Sequence, residues 1–340
     1  MLPKTSLATS SALRACAAAL LTASAAGCAS SASPARALEA TPADEVAPAA
    51  AAPPRQPARA AAPAPTSSSP LPPLTASAGQ ACGPFECFWT DSGPRALAVV
   101  LADQPLALGV GEAHALAGSE SVASSARRFT AGLLPELKGI ASHLVVELLQ
   151  PDPRCESATR EVRRAQQPVT APQAKTNQDD YVELGRRARE LGIEPFVLRP
   201  TCDEYRAIAD AGDAAIDQML GTIARVTSRM LRAALVQNRA DGRAGRLVIG
   251  YGGALHNDIA PSAEKAAWSY GPELAAFTGG RYVELDLIVR EFIKDTDVWK
   301  ALPWYAHFDP GREPSRWLVM RTAPHRYALF FPSSVPPTSD

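Results

Sequence analysis

The stretch SHLVVELL, from Ser142 to Leu149, predicts a β-strand that is apolar almost throughout. Strands of this kind are buried on both faces, which is typical of parallel sheets covered by helices. Segments with helical periodicity over 119–138, 179–192, 213–238 and 262–277 separate this strand from four similar runs. Those runs are LALGV (Leu106–Val110), EPFVLRP (Glu194–Pro200), RLVIGYGG (Arg246–Gly253) and RYVELDLIV (Arg281–Val289). We therefore predict an α/β fold with a mostly parallel sheet flanked by helices on both faces.

Three stretches depart from this alternation. RWLVMRT and HRYALFF flank Ala323–Pro324 and predict a C-terminal antiparallel hairpin. The Pro- and Gln-rich stretch before Asp179 is predicted to be a loop. In YVELDL, Glu284 and Asp286 alternate with apolar residues, which indicates a half-exposed edge strand. A site role for Asp286 is the alternative.

The first 28 residues are typical of an export signal. Lys4 and Arg14 precede a short apolar run over 17–26, and the sequence SAAGC follows, ending at Cys28. This ending resembles a bacterial lipobox, which implies that Cys28 carries a lipid and anchors the protein in the cell envelope. No acidic retention signal follows the cysteine, which implies the outer membrane. An ordinary secretory signal cleaved near Ala26 is the alternative.

The remainder of the chain divides by composition. Residues 29–78 are mostly Ala, Pro and Ser without an aromatic residue, and are predicted to form a disordered tether. Residues 79–332 are predicted to form a single α/β domain, and residues 333–340 a disordered tail. A net charge of −1 without a basic stripe argues against a nucleic-acid partner. The sequence leaves the oligomeric state open.

Four cysteines fall in the predicted domain, and an even number in an oxidising compartment favours disulfides. Cys155 follows the second predicted strand and Cys202 follows the third, so neighbouring strands would place both at one edge of the sheet. Cys82 and Cys87 bracket the turn-prone spacer GPFE. We predict the pairs Cys82–Cys87 and Cys155–Cys202. Zinc binding is the alternative, although no C-x-x-C pair is present.

Polar side chains at the carboxyl ends of the strands are the candidates for a site, because ligands of open α/β sheets bind there. Glu112 and His114 follow the first strand at a spacing that directs both side chains to one side. Arg199 follows the third strand, and His256 follows the fourth within GGALHND.

Glu147 lies inside LVVELL, where an ionised carboxylate costs several kcal/mol unless it is paired or bound to a metal. The alternative is that it lies just past the sheet in solvent. His143, His307 and His325 lie away from the strand ends and are predicted to be structural or surface residues.

The ordered set GVGEAH, LVVEL and GYGGALH resembles a superfamily that contains the ChaN-like haem-binding uptake lipoproteins, the erythromycin esterases and the TIKI/TraB metalloprotease-like proteins. The resemblance covers most of residues 100–290. It matches Gly111, Glu112 and His114 to the first motif and Glu147 to the second-strand carboxylate. Gly253 with His256 matches the G-x-x-H motif, and Tyr181 lies on the helix that precedes the third strand.

Hydrolysis of an ester or peptide bond is the first functional hypothesis. A divalent ion (manganese, cobalt or zinc) held by His114, Glu147 and His256 would activate water, with Glu112 as general base. Without a metal, a histidine oriented by a carboxylate would activate the water. The resemblance to the esterase and TIKI branches supports either form.

The second hypothesis, implied by the ChaN-like resemblance, is a lipoprotein that captures haem or another small-molecule or peptide ligand without catalysis. Tyr251, Tyr181 and Arg199 are its candidate ligand-binding residues, with tyrosine or histidine as axial ligand. A structural domain with a vestigial cleft ranks third.

Overall fold

A computed structural model describes residues 79–334 of the chain. The predicted signal peptide, Cys28 and the predicted tether, with the last six residues of the predicted tail, lie outside the described residues. Within residues 79–334, nine strands form one sheet in the order β1-β2-β8-β9-β7-β3-β6-β4-β5. The strands are β1 (Gln80–Cys82), β2 (Phe85–Thr90), β3 (Ala107–Glu112), β4 (Ala141–Leu149), β5 (Glu194–Leu198), β6 (Leu247–Gly253), β7 (Tyr282–Ile288), β8 (Trp317–Ala323) and β9 (Arg326–Phe330).

The predicted fold class is confirmed. The six strands from β9 to β5 in this order pair in parallel, and β1, β2 and β8 add antiparallel pairs at one side. β8 and β9 are the predicted C-terminal hairpin. Every strand predicted from the sequence is present, with ends that differ by one or two residues.

Helices cover both faces of the sheet. They are α1 (Gly93–Leu101), α2 (Ser125–Gly132), α3 (Glu156–Thr170), α4 (Thr176–Glu190), α5 (Cys202–Ala209), α6 (Ala215–Ala240), α7 (Gly271–Phe277) and α8 (Asp297–Lys300). Buried residues of α1, α2 and α4 pack with Leu108 and Val110 on one face, which we call the α4 face. Those of α3, α5, α6 and α7 pack with Ala107 and Val248 on the other, which we call the α6 face. Alternate strand residues therefore enter two separate cores.

Three helical predictions need correction. The Pro- and Gln-rich stretch predicted as a loop contains α3, in which Ala158, Val162 and Gln166 bury one face despite Pro168 near its end. The helix predicted over 119–138 is shorter: α2 covers only Ser125–Gly132, and a separate 3₁₀ turn, Leu134–Leu137, follows with Pro135 near its start. The helix predicted over 262–277 begins only at Gly271.

β7 is not an edge strand, so the prediction drawn from Glu284 and Asp286 is wrong. It lies between β3 and β9, and both carboxyl groups have polar partners inside the protein. Arg326 on β9 donates its Nε–H to Glu284 Oε2 over 3.0 Å, and Asn257 Nδ2 donates to Asp286 Oδ1 over 3.0 Å. The alternation thus reflects a polar cluster buried beside the sheet rather than contact with solvent.

Both predicted disulfides are present. Cys82–Cys87 closes the β1–β2 hairpin, with Cα atoms 5.8 Å apart. Cys155–Cys202 joins the segments that follow the adjacent strands β4 and β5, with Cα atoms 5.5 Å apart. Within residues 79–334, no helix is both long and apolar enough to cross a membrane.

The two disulfides should differ in their effect on stability. Cys155–Cys202 closes a sequence separation of 47 residues and Cys82–Cys87 one of 5. From loop entropy, replacing Cys155 and Cys202 by serine should lower the free energy of unfolding by about 4 kcal/mol. Replacing Cys82 and Cys87 should lower it by about 2 kcal/mol. Thermal unfolding of the two double-serine variants of the oxidised protein measures the difference. An equal fall in Tm for both variants would contradict this account.

Candidate functional site

The carboxyl ends of β3, β6 and β4 meet at one edge of the sheet, because β6 pairs with both of the other strands. This arrangement brings Glu112 of β3 and Glu147 of β4 to either side of β6. His114 follows β3 and His256 follows β6 at the same edge. The four residues predicted to carry the chemistry therefore lie in one cluster.

Glu147 is buried within β4, as predicted, with 3% of its surface exposed. The pairing of β4 with β5 shifts register between Val146 and Leu149, and such irregularities re-aim side chains next to active sites. Its Oε2 accepts the backbone N–H of Gly253 over 2.7 Å, and its Oε1 lies 3.4 Å from His256 Nε2. The Gly253 hydrogen bond and the nearby His256 ring offset part of the cost of burying the carboxylate, whose Oε1 makes no hydrogen bond.

Glu112 is buried on the α4 face and accepts hydrogen bonds on both oxygens. Tyr181 O–H and His114 Nδ1 approach its Oε1 at 3.1 and 3.0 Å, and Tyr251 O–H donates to its Oε2 over 2.5 Å. Three donors use most of the acceptor positions of this carboxylate. The bond to Nδ1 lets Glu112 orient the His114 ring, and the general-base role predicted for Glu112 stays a prediction.

His114 presents an unpartnered ring nitrogen to the cluster. Its Nδ1 faces the Glu112 carboxylate, so Nδ1 carries the hydrogen, and its buried Nε2 has no hydrogen-bond partner. Burial, the largest influence, lowers the pKa of His114. The hydrogen bond to Glu112 and the charges of Glu112 and Glu147 raise it, and the net pKa lies above the usual 6.5.

His256 is held in a similar way by a backbone group. Its Nδ1 donates to the carbonyl of Trp268 over 2.6 Å, which directs Nε2 to Glu147. Burial again has the largest effect and lowers the pKa of His256, but the charge of Glu147 and the hydrogen bonds to Glu147 and Trp268 raise it above 6.5. The Trp268 carbonyl had no signal in the sequence, because any residue type supplies a backbone acceptor.

Gly253 leaves a space between the two carboxylate–histidine pairs. A Cβ atom on this residue would lie 3.5 Å from His114 Nε2, 3.8 Å from His256 Cδ2 and 3.9 Å from Glu147 Oε2. The space beside the neighbouring Gly252 is instead occupied by the Glu147 side chain, since a Cβ on Gly252 would lie 2.0 Å from Glu147 Oε2. Gly252 and Gly253 therefore have different functions: Gly252 accommodates Glu147, and Gly253 keeps the centre of the cluster open.

The loop that carries His114 is hydrogen-bonded to a second chain segment. Asn177 Nδ2 and Ala174 N–H both donate to the carbonyl of Ala115 over 2.9 Å, and Ala117 N–H donates to the carbonyl of Pro172 over 2.9 Å. The link between α3 and α4 is thereby fixed to the loop after β3. Side chains in the cluster have only 2–7% of their surface exposed, so the chemistry would take place in an enclosed site.

A divalent metal is predicted at His114, Glu147 and His256. The histidines suit this role, because each has Nδ1 bonded and Nε2 directed inward. The ligands of one zinc ion lie about 2.0–2.2 Å from it and so roughly 3.5 Å from each other. In the part of the chain that the structure describes, the one group of three candidate ligand atoms within 4.8 Å of one another contains disulfide-bonded Cys155 and Cys202. As they stand, the predicted ligands do not close a metal site, and the metal role stays a prediction.

The candidate residues for haem or ligand binding fall into two groups. Tyr181 and Tyr251 lie in the cluster, but their hydroxyls are buried and donate to Glu112, and burial raises the pKa of each well above its usual value. Arg199 is exposed at the end of β5 and donates its Nε–H to Gln150 Oε1 over 2.9 Å. Haem binding stays a prediction.

The other three histidines lie outside the cluster. His143 is buried at the amino end of β4, where its ring stacks on Phe196. His307 packs against Phe85. His325 lies in the β8–β9 turn, and its Nδ1 is hydrogen-bonded to Asp103.

No family model, no curated protein and no solved structure matches the chain. The resemblance to the ChaN, erythromycin esterase and TIKI/TraB proteins therefore stays a prediction that rests on the motifs. The case for a function depends on the geometry of the cluster itself.

Stability should depend on pH in opposite ways at two buried histidines. The raised pKa of His256 stabilises the folded protein below pH 6.5, and this contribution is lost as the pH rises through the folded-state pKa. Burial lowers the pKa of His143, so that residue destabilises the folded protein as the pH falls through 6.5. Thermal unfolding between pH 5 and 9 should show that His256→Asn loses most stability at low pH.

The matched His143→Asn variant should instead gain stability relative to the native protein at low pH. Parallel pH profiles for the two variants would rule out this assignment of the pKa shifts.

Proposed function

We propose that the domain is a hydrolase of ester or peptide bonds in which His114 activates the attacking water. One observation carries the proposal: the buried His114 imidazole is bonded to Glu112 through Nδ1 and has an unpartnered Nε2 directed into an enclosed space. A carboxylate that orients an imidazole in this way is a recurrent arrangement for a general base.

The first step assigns a role to each group around His114. A water molecule beside Nε2 transfers a proton to the ring as its oxygen attacks the substrate carbonyl carbon. Glu112 stabilises the imidazolium that forms, and Tyr181 and Tyr251 keep the carboxylate in place. Because the two hydroxyls and His114 Nδ1 occupy both carboxylate oxygens, the proton remains on the imidazole.

The second step uses the pair formed by His256 and Glu147. The carbonyl oxygen gains negative charge as the bond to water forms, and a protonated His256 next to Glu147 supplies positive charge on the opposite side of the Gly253 space. Collapse of the tetrahedral intermediate breaks the bond to the leaving alkoxide or amine. The leaving group takes a proton from an imidazolium, and the acid product leaves with the hydroxyl group derived from water.

The enclosure supports this chemistry. Because the side chains of the cluster are almost fully buried, their charges interact through a medium that excludes most water. The fixed donors and carboxylates therefore act more strongly than at an open surface. The N-terminal prediction places this activity in the cell envelope, on an outer-membrane lipoprotein anchored through Cys28. Esters and peptides both remain candidate substrates.

Replacing His114 by Asn should abolish turnover. We expect a fall of about 10²- to 10⁴-fold in kcat, the usual contribution of general-base catalysis. The assay is hydrolysis of short-chain p-nitrophenyl esters and aminoacyl p-nitroanilides by the domain from Gly79 onward. His325→Asn is the matched control, because His325 lies in a turn with φ of 60°, a conformation that Asn tolerates.

Turnover that is equal in the His114→Asn variant and the native protein would disprove the proposal, as would the absence of turnover on every substrate of the panel. Elemental analysis of the same preparations distinguishes metal-dependent hydrolysis from hydrolysis with a histidine base. Stoichiometric manganese, cobalt or zinc that disappears in His256→Ala would replace the histidine base by a metal-activated water.

Alanine substitutions at Gly252 and Gly253 should separate activity from stability. At Gly253 the added Cβ makes ordinary contacts of 3.5–3.9 Å, so the variant should fold while turnover falls at least 10-fold, because the methyl group occupies the reaction space. At Gly252 the added Cβ collides with Glu147, so that variant should lose stability. Thermal unfolding and ester hydrolysis measure both effects. A Gly253→Ala variant with native turnover would show that the reaction occurs elsewhere.

A further inference from the structure

Asn257, the residue after His256, is buried with 1% of its surface exposed and bonds to two strands at once. Its Nδ2 donates to the carbonyl of Gly109 on β3 over 3.2 Å and to Asp286 Oδ1 on β7 over 3.0 Å. Its backbone carbonyl accepts the hydroxyl of Tyr282 over 2.7 Å. The loop that carries His256 is therefore attached through Asn257 to two neighbouring strands.

β3 has glycine at the two positions that Asn257 covers. A Cβ on Gly111 would lie 2.5 Å from Asn257 Oδ1, and a Cβ on Gly109 would lie 3.0 Å from Asn257 Cβ. Glycine weakens the interior of a strand and often marks the close approach of another part of the chain. Gly111 thus accommodates the Asn257 side chain, whereas the atoms nearest to a Cβ on Gly109 belong to the Tyr282 ring. Asn257 in this way links the first motif of the cluster to the last.

Asp286 on β7 is the side-chain acceptor of the Asn257 amide. Burial and the neighbouring Glu284 carboxylate raise the pKa of Asp286 well above its usual value, while the hydrogen bond from Asn257 acts in the opposite direction.

The residues that follow Asn257 extend the attachment. Arg326 Nη2 donates to Asp258 Oδ1 over 2.9 Å, and Ile259 N–H donates to Glu284 Oε2 over 2.7 Å. On the other side, Asn257 is joined directly to His256. The Asn257 amide is thus the hydrogen-bonding side chain nearest in sequence to that catalytic ring.

We propose that Asn257 is a positioning residue of the hydrolase proposed above: its amide fixes the loop after β6 to β3 and β7 and so sets the contact between His256 Nε2 and Glu147 Oε1. The inference rests on the proposed function for its catalytic consequence. The effect on the His256–Glu147 contact is measurable without any substrate.

The test is Asn257→Asp, which keeps the shape of the side chain and removes both amide hydrogens. We expect kcat to fall about 10- to 100-fold, the range typical of lost support for a positioned group, with KM little changed. In the protein without substrate, the ring ¹⁵N resonances of His256 at pH 7 should shift as the contact with Glu147 is lost. Asp286→Asn keeps an acceptor for the amide, and its His256 resonances should remain at their native positions.

Asn238→Asp is the matched control. Asn238 is also fully buried, and its Nδ2 also donates to two acceptors, Ser142 Oγ over 2.8 Å and the carbonyl of Arg246 over 3.2 Å, at the amino end of the sheet. The Asn238→Asp variant should lose about as much stability as Asn257→Asp, yet keep kcat and the His256 resonances at their native values.

The outcomes distinguish the two proposals. Native His256 resonances in a folded Asn257→Asp variant, or equal effects of Asn257→Asp and Asn238→Asp, overturn the positioning role while leaving the hydrolase proposal intact. Shifted His256 resonances in Asn257→Asp, together with no turnover by the native protein, support the positioning of His256 and overturn the hydrolase.

Discussion

Two carboxylates buried at the carboxyl edge of a parallel sheet are the constraint on which this site depends. Glu112 and Glu147 are each about 96–97% buried, and an unpaired carboxylate at such a place would cost several kcal/mol. Each is compensated by a histidine and by further donors. The tyrosines, the Gly253 amide and the Trp268 carbonyl are therefore parts of one electrostatic arrangement.

The arrangement uses both faces of the sheet. Glu112 and its two tyrosines belong to the α4 face, and Glu147 lies over Gly252 on the α6 face. They meet only where β6 ends, because Gly253 has no side chain to separate them. The cluster is accordingly formed by a strand end and the two loops beside it, which is the usual location of ligands in open α/β sheets.

The two histidines are alike in how they are held and different in what they face. Each has Nδ1 bonded to a fixed acceptor, a carboxylate for His114 and a backbone carbonyl for His256. Nε2 of His256 faces Glu147, whereas Nε2 of His114 has no partner. This difference is what assigns the base to His114 and the positive charge to His256 in the proposed mechanism. In the same proposed mechanism Glu112 supports the base rather than acting as one, because both of its oxygens already accept hydrogen bonds.

The sequence by itself determined the mostly parallel α/β fold, the membership of the four-residue cluster and both disulfide pairs. Apolar runs specify buried strands, and parallel strands bring their carboxyl ends to one edge whatever their order. Tertiary structure alone decided the hydrogen-bond partners of Glu112, because Tyr181 lies on α4 and Tyr251 on β6, far from it in sequence. It also decided that β7 is internal, since β9 pairs beside it and supplies Arg326 to Glu284. Strand order and hydrogen-bond partners arise from contacts between distant segments, which local periodicity does not encode.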